Sequence, residues 1–242
     1  MPRFDPHPER RAAIVTGASS GIGAATAKEL AGVGHPVVIG ARRIDRLEDL
    51  AGELRAGGAE VLALPLDLTR PESVDEFAAR AESEMGPIEI LVSNAGDVQP
   101  ITTVASPDEF ARQLQVNLLG AQALAHAVVP AMYERRRGDV VFVTSEVALS
   151  PRTHMAAYVA SKAGLEGFAR RQVAPSQACG LTEPRAREQE QGVEHRAVVL
   201  DARVRKELLH LEAREPVAPA SLRVGILGAR EHVARDHRAR VL

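Results

Sequence analysis

The stretch Ala12-Ala13-Ile14-Val15-Thr16-Gly17-Ala18-Ser19-Ser20-Gly21-Ile22-Gly23 decides how the rest of the chain reads. Its apolar opening, 12–15, has the length of a buried strand and breaks into a glycine- and serine-rich turn. A helix over 23–33 follows, and then a second apolar run at 37–39. The alternation continues outward: helix 46–55, strand 61–66, helix 71–85 opened by Pro71, strand 88–92, a long helical region 107–132, strand 140–144 and helix 156–171. The charged run Glu134 to Arg137 before Gly138 reads as a solvated helix end stopped by glycine. Short, continuously apolar strands separated by helices predict an α/β fold, a doubly wound parallel sheet covered on both faces.

Composition narrows the classes. With 242 residues, 45% hydrophobic and 26% charged, the chain can bury a sizeable core. A formal charge of −2 gives no electrostatic footprint for nucleic acid or an anionic membrane, so neither partner is expected. The single cysteine, Cys179, cannot form an internal disulfide. The polar, charged first residues lack a signal peptide's apolar centre, and no apolar run spans a bilayer, so the expected location is the cytoplasm. His195, His210, His232 and His237 show no ligand spacing, and no metal site is expected.

The turn after the first strand has the spacing Gly-x-x-x-Gly-x-Gly. Gly17 permits the tight turn, Gly21 lets a pyrophosphate approach the backbone, and Gly23 allows the helix to pack closely on the strand. The helix N-terminus then faces the phosphates, which makes Gly17, Ser19, Ser20, Gly21, Ile22 and Gly23 candidate dinucleotide contacts. At the end of the second strand, where an acid would hold the 2′-hydroxyl of NAD, stand Arg42 and Arg43. Two guanidiniums suit a 2′-phosphate, so NADP is expected in preference to NAD. The plainer alternative makes both arginines solvated charges at the start of the next helix.

Further along, Ser145 ends the fifth strand, Tyr158 follows, and Lys162 lies four residues beyond on the same helix face. A phenol with an ordinary pKa of about 10 needs a nearby cation to exchange a proton near neutral pH. Lys162 can supply that field, and Ser145 can hydrogen-bond a substrate oxygen while Tyr158 moves the proton. A Tyr-x-x-x-Lys pair alone would more commonly be an exposed helix face.

Taken jointly, residues 16–23, Ser93-Asn94-Ala95-Gly96, Asn117, Ser145, and Tyr158 with Lys162 resemble the short-chain dehydrogenase/reductase family over 12 to about 170. The resemblance implies a Rossmann-like domain that moves hydride between NADP(H) and a small carbonyl or secondary alcohol. It makes Tyr158 the acid/base, Lys162 its partner and a contact to the nicotinamide ribose, and Ser145 the orienting hydroxyl. Asn117 would hold a water linking Lys162 to solvent. Asn94, Ala95 and Gly96 would support sheet and cofactor, and Asp67 and Leu68 would contact adenine. Read by themselves, Asn117 could satisfy helix backbone and Asp67 could cap a local turn. A homodimer or homotetramer packed through the Asn117 and Tyr158 helices is also implied.

The composition breaks after Phe168. All five Phe and both Tyr lie before Ala169, and the charge balance then turns from acidic to basic. The chain therefore divides into a catalytic unit, 1–170, and a divergent segment, 171–242. No Pro-Gly occurs where the family has its nicotinamide-contacting segment. The segment reads either as strand 196–200, helix 204–214 and strand 222–227 completing the sheet, as a disordered tail, or as the product of a shifted reading frame in a GC-rich gene. Its departure leaves a second functional expectation open, a catalytically weak or inactive NADP-binding protein.

Overall fold

The computed structural model describes residues 9–99, 106–148, 154–173, 197–200 and 222–224. Its centre is a parallel sheet in the order β3-β2-β1-β4-β5-β6. The strands are β1 Ala12–Thr16, β2 Val37–Ala41, β3 Val61–Pro65, β4 Ile88–Ser93, β5 Gly138–Val143, β6 Ala197–Leu200 and β7 Leu222–Val224. β6 pairs with β5 over residues 140–143, and β7 continues along the same edge at Gly138 and Asp139. Side chains alternate between faces along each strand. Ile14, Val38, Leu91, Val140 and Phe142 enter one core layer, and Val15, Ile39, Val92, Val141 and Val143 enter the other. Burial on both faces explains why each strand reads as an unbroken apolar run rather than an alternating one.

Helices α1 (Gly21–Gly32) and α2 (Ile44–Ala56) cover the second layer. α3 (Pro71–Met85), α5 (Gly120–Arg135) and α6 (Ala156–Val173) cover the first. The expected doubly wound sheet is therefore observed. The helix predicted over 204–214 lies outside the described residues, as do parts of the loops at 98–101 and 146–155.

Two local expectations are corrected. The long helical region is not one α-helix: α4 (Pro107–Leu114) passes through a π-helical turn at Gln115–Leu119 before α5 begins. The helix end is also not set by Gly138, which is buried as the first residue of β5. Arg136 stops α5 by taking a left-handed conformation, φ 53°. The Arg136 and Arg137 amides return to the carbonyls of Tyr133 and Met132, the paired closure of a Schellman motif.

α4 starts on a capping box. Ser106 Oγ accepts from the Glu109 amide, and the Glu109 carboxylate accepts from Ser106 N. At the opposite end of the sheet, Arg11 binds Glu89 at 3.2 Å and Asp139 at 2.6 Å, tying the start of β1 to β4 and β5.

Gly40 shows how tightly the layers meet. A Cβ placed there would lie 2.6 Å from the ring of Phe77, which α3 lays across β2. Gly40→Ala should therefore lower stability by about 1–3 kcal/mol through overpacking. Urea unfolding followed by circular dichroism checks this, and an unchanged midpoint would contradict the packing described.

Candidate active site

The carboxyl ends of β1 and β4 are joined by Thr16, which is wholly buried. Its Oγ1 accepts from the amides of Asn94 and Ala95, each at 3.0 Å, and the Asn94 side-chain amide donates back to Thr16 O at 2.9 Å. Asn94 occupies space left by glycine. Added Cβ atoms would lie 2.9 Å from Asn94 Nδ2 at Gly17 and 2.6 Å at Gly23, and the latter would also meet Gly17 O at 2.5 Å. Gly17 and Gly21 both have positive φ, 68° and 58°. Among the described residues no packing atom lies within 4 Å of a Cβ built on Gly21, so the turn is open there.

The start of α1 has neither a side-chain cap nor an acid in its first turn, whereas α2, α3 and α4 carry Asp45, Glu72 and Ser106 with Glu109. Its first amides and the positive end of its dipole face outward beside exposed Gly21 and Ile22. An open glycine turn before an uncapped helix fits a pyrophosphate.

The two arginines diverge. Arg43 donates to Ser19 Oγ at 2.8 Å and Ser20 Oγ at 3.0 Å, bringing its guanidinium over the glycine turn. Arg42 acts on Asp67 through charge. Burial raises the Asp67 carboxyl, but hydrogen bonds from Thr69 N and Oγ1, with the charges of Arg42 and Arg70, outweigh it and hold the group below its ordinary value. The Asp67 carboxylate is thus engaged in its own turn. Leu68 is buried against Gly120, so its side chain belongs to the core.

On the other side of the crevice, Ser145 lies two residues beyond β5, with its hydroxyl close enough to the Tyr158 phenol to act on its proton affinity. Burial raises Tyr158 above the ordinary phenol range, and the Ser145 hydroxyl partly opposes this. Lys162, one turn on, is buried, donates to Val143 O at 2.7 Å, and sits 5.8 Å from the Tyr158 ring centre. No carboxylate pairs with it among the described residues, and burial lowers its pKa to about 8. The Asn117 amide lies beneath, exchanging bonds with Asp97 N at 2.7 Å and Asp97 O at 2.9 Å and donating to Ser161 Oγ at 3.1 Å. A Cβ on Gly96 would lie 3.3 Å from Asn117 Oδ1 and 3.6 Å from Lys162 Nζ.

Asn117, Ser145, Tyr158, Lys162 and Gly96 therefore converge on one end of the sheet, and the glycine turn, Arg43 and Asp67 on the adjoining part. Sequence reasoning missed Thr16 as the clamp, Val143 O as the lysine acceptor, and Ser161, whose Oγ also donates to Tyr158 O at 2.8 Å. It also missed Gln113, although Gln113 stands four residues before Asn117 and so shares its helix face.

A profile described as short chain dehydrogenase matches residues 11–178. The chain belongs to the short-chain dehydrogenase family. Its similarity includes 2,3-dihydro-2,3-dihydroxybenzoate dehydrogenase of Bacillus subtilis (strain 168), 38% identical over 161 residues that are 66% of this chain and 62% of that protein. It also includes dehydrogenase/reductase SDR family member 7 of Mus musculus, 36% identical over 64% of this chain and 47% of that protein. A solved short chain dehydrogenase from Mycobacterium smegmatis superimposes with a TM-score of 0.67 at 27% identity, covering 70% of this chain and 73% of that one. This short-chain dehydrogenase spans less than two thirds of the length of either curated relative.

Lys162 gives the site a stability signature. Between about pH 8, its folded value, and the ordinary lysine value of about 10.4, the unfolded chain holds a proton that the folded chain lacks. Stability of the cofactor-free chain should therefore rise with pH in that window. Tyr158 and Tyr133, raised by burial, add an opposing slope only above the ordinary phenol value of about 10. Urea unfolding of wild type and Lys162→Met checks this: the rise should be lost in the variant, and parallel curves would contradict the lysine's burial.

Proposed function

We propose that this chain is an NADP-dependent oxidoreductase interconverting a carbonyl and a secondary alcohol with a Ser145, Tyr158, Lys162 site. The observation that carries the reading is a buried Lys162 with no paired carboxylate among the described residues, held on Val143 O and 5.8 Å from the ring centre of Tyr158 one helical turn away. The charge of such a lysine is available to a phenolate. When bound, the nicotinamide cofactor supplies or accepts the hydride.

For reduction, the Tyr158 phenol gives its proton to the carbonyl oxygen while the Ser145 hydroxyl hydrogen-bonds the charge developing there. Lys162 holds the resulting phenolate. For oxidation the same groups act in reverse, with Tyr158 taking the alcohol proton. Asn117 holds a water through which Lys162 exchanges protons with solvent. Arg43 over Ser19 and Ser20, with Arg42 beside it, would take the 2′-phosphate, and Asp67 and the Leu68 main chain would border the adenine. Asn94, Ala95 and Gly96 would support the sheet and the cofactor there.

The unit doing this is 1–170, with 171–242 as a divergent segment that adds β6 and β7 to its sheet, in a cytoplasmic homodimer or homotetramer. The relatives carry names as different as fatty acyl-CoA reductase, in Acinetobacter baylyi, and glycine betaine reductase, in Emericella nidulans. We therefore assign a reaction class and no single substrate. The family match ends at residue 178, which favours a second reading, an NADP-binding protein with weak or no turnover.

A panel of ketones and alcohols with NADPH or NADP as co-substrate separates the two, with Tyr158→Phe as the control. The proposal expects wild-type turnover, a loss of at least about 100-fold in kcat for the variant, and an unchanged NADPH dissociation constant. Wild-type rates in Tyr158→Phe would refute its role, and NADPH binding without turnover on the panel would support the second reading. Arg43→Ala should weaken NADPH by about 10- to 100-fold, the loss of a charge-assisted bond, and NADH far less. Isothermal calorimetry checks this, and equal losses for the two would contradict the 2′-phosphate assignment.

A further inference from the structure

Gln113 is 1% exposed and Asn117 fully buried, an unusual pair of amides on one helix face. Nothing in helix formation calls for glutamine at such a position, since a buried amide must find partners or destabilise the fold. The partners of its nitrogen are main-chain carbonyls. Gln113 Nε2 donates to Asp97 O and Gln99 O, each at 3.3 Å. Asn117 holds the same stretch through Asp97 N and Asp97 O. Two side chains on one turn of α4 and its π-helical continuation thus place four hydrogen bonds on 97–99, the stretch that leaves Gly96.

The division of labour between them is unequal. Asn117 binds only Asp97 in this stretch, and Gln113 alone reaches Gln99. The stretch carries an exposed Val98 and a Gln99 whose side chain donates to Asp97 Oδ1 at 3.1 Å. It begins directly after Gly96, where an added Cβ would meet Asn117 Oδ1 and Lys162 Nζ, whereas the glycine turn packs against Asn94 and Ala95 before it.

We infer that Gln113 is a positioning residue for the substrate side of the site: it fixes 97–99 as a wall against which the substrate is held, and has no part in binding the cofactor. The inference rests on the proposed oxidoreductase reading. Loss of the Gln113 donor leaves Asp97 on Asn117 but frees Gln99, so the wall loosens while Gly96 stays. Near-attack geometry is sensitive to such a displacement.

Two variants test it. Gln113→Met keeps the volume and helix propensity but cannot donate. It should raise substrate KM about 5- to 20-fold, with a smaller fall in kcat and an unchanged NADPH dissociation constant, the pattern of lost substrate positioning. Gln113→Glu places a carboxylate against two carbonyls and can donate only when protonated. Its kcat/KM should recover relative to wild type as pH falls, a change that a merely structural role would not produce.

Hydrogen exchange by mass spectrometry provides a readout independent of turnover: a peptide containing 97–99 should exchange faster in Gln113→Met, with peptides from β1 and α1 unchanged. Wild-type KM and kcat in Gln113→Met, or a Gln113→Glu profile parallel to wild type, would overturn the inference. So would parallel losses in substrate binding, cofactor binding and melting temperature, or unchanged exchange at 97–99. If the wild-type chain turns over no substrate, the oxidoreductase reading fails and with it the substrate role. Faster exchange at 97–99 would then show only that Gln113 anchors that stretch.

Discussion

The buried Thr16 clamp is the constraint on which the site depends. β1 lies where the order of strand addition reverses, with β2 on one side and β4 on the other. A crevice outside the carboxyl ends of the strands at such a point is the ligand position of open α/β sheets. Thr16 closes its floor by binding two successive amides beyond β4 and offering its own carbonyl to Asn94. Gly17 and Gly23 must be glycine because Asn94 and the main chain fill the places their side chains would take. One hydroxyl and two missing Cβ atoms therefore set the distance between the glycine turn and the stretch that meets Lys162.

Lys162 is held by the same economy of contacts. Its ammonium is anchored by a single carbonyl at the end of β5, and its depressed pKa reflects desolvation without a counterion among the described residues. A surface lysine would have water in place of Tyr158. Here the charge is directed at a phenol that burial otherwise keeps protonated. The two opposed shifts have one physical origin, the low dielectric of the crevice.

Much of this was legible because the relevant signals are local. The continuous apolar runs at 12–15, 37–39 and 88–92 announced strands buried on both faces, and the glycine spacing announced the turn. Tyr158 and Lys162 shared a helix face by spacing alone. The π-helical turn was not legible: Gln115 to Leu119 contain no Gly or Pro, and nothing in their order marks the wider hydrogen-bond pattern. Arg136 as a helix stop was hidden by the nearby Gly138, whose place in β5 is a matter of sheet register. Gln113 and Thr16 act on backbone groups far away in sequence, and no spacing rule within one element points to such a partner.

In the proposed reading, the crevice beyond β1 and β4 is a formed NADP site. Thermal unfolding of the full chain with NADPH, and with NADH at the same concentration, tests it most directly. NADPH at about 100 times its dissociation constant should add about 2.7 kcal/mol, and each kcal/mol moves the midpoint by about 2–4 °C at this size. That shift is expected with NADPH, and a smaller one with NADH. A midpoint unmoved by either, or moved further by NADH, would contradict it.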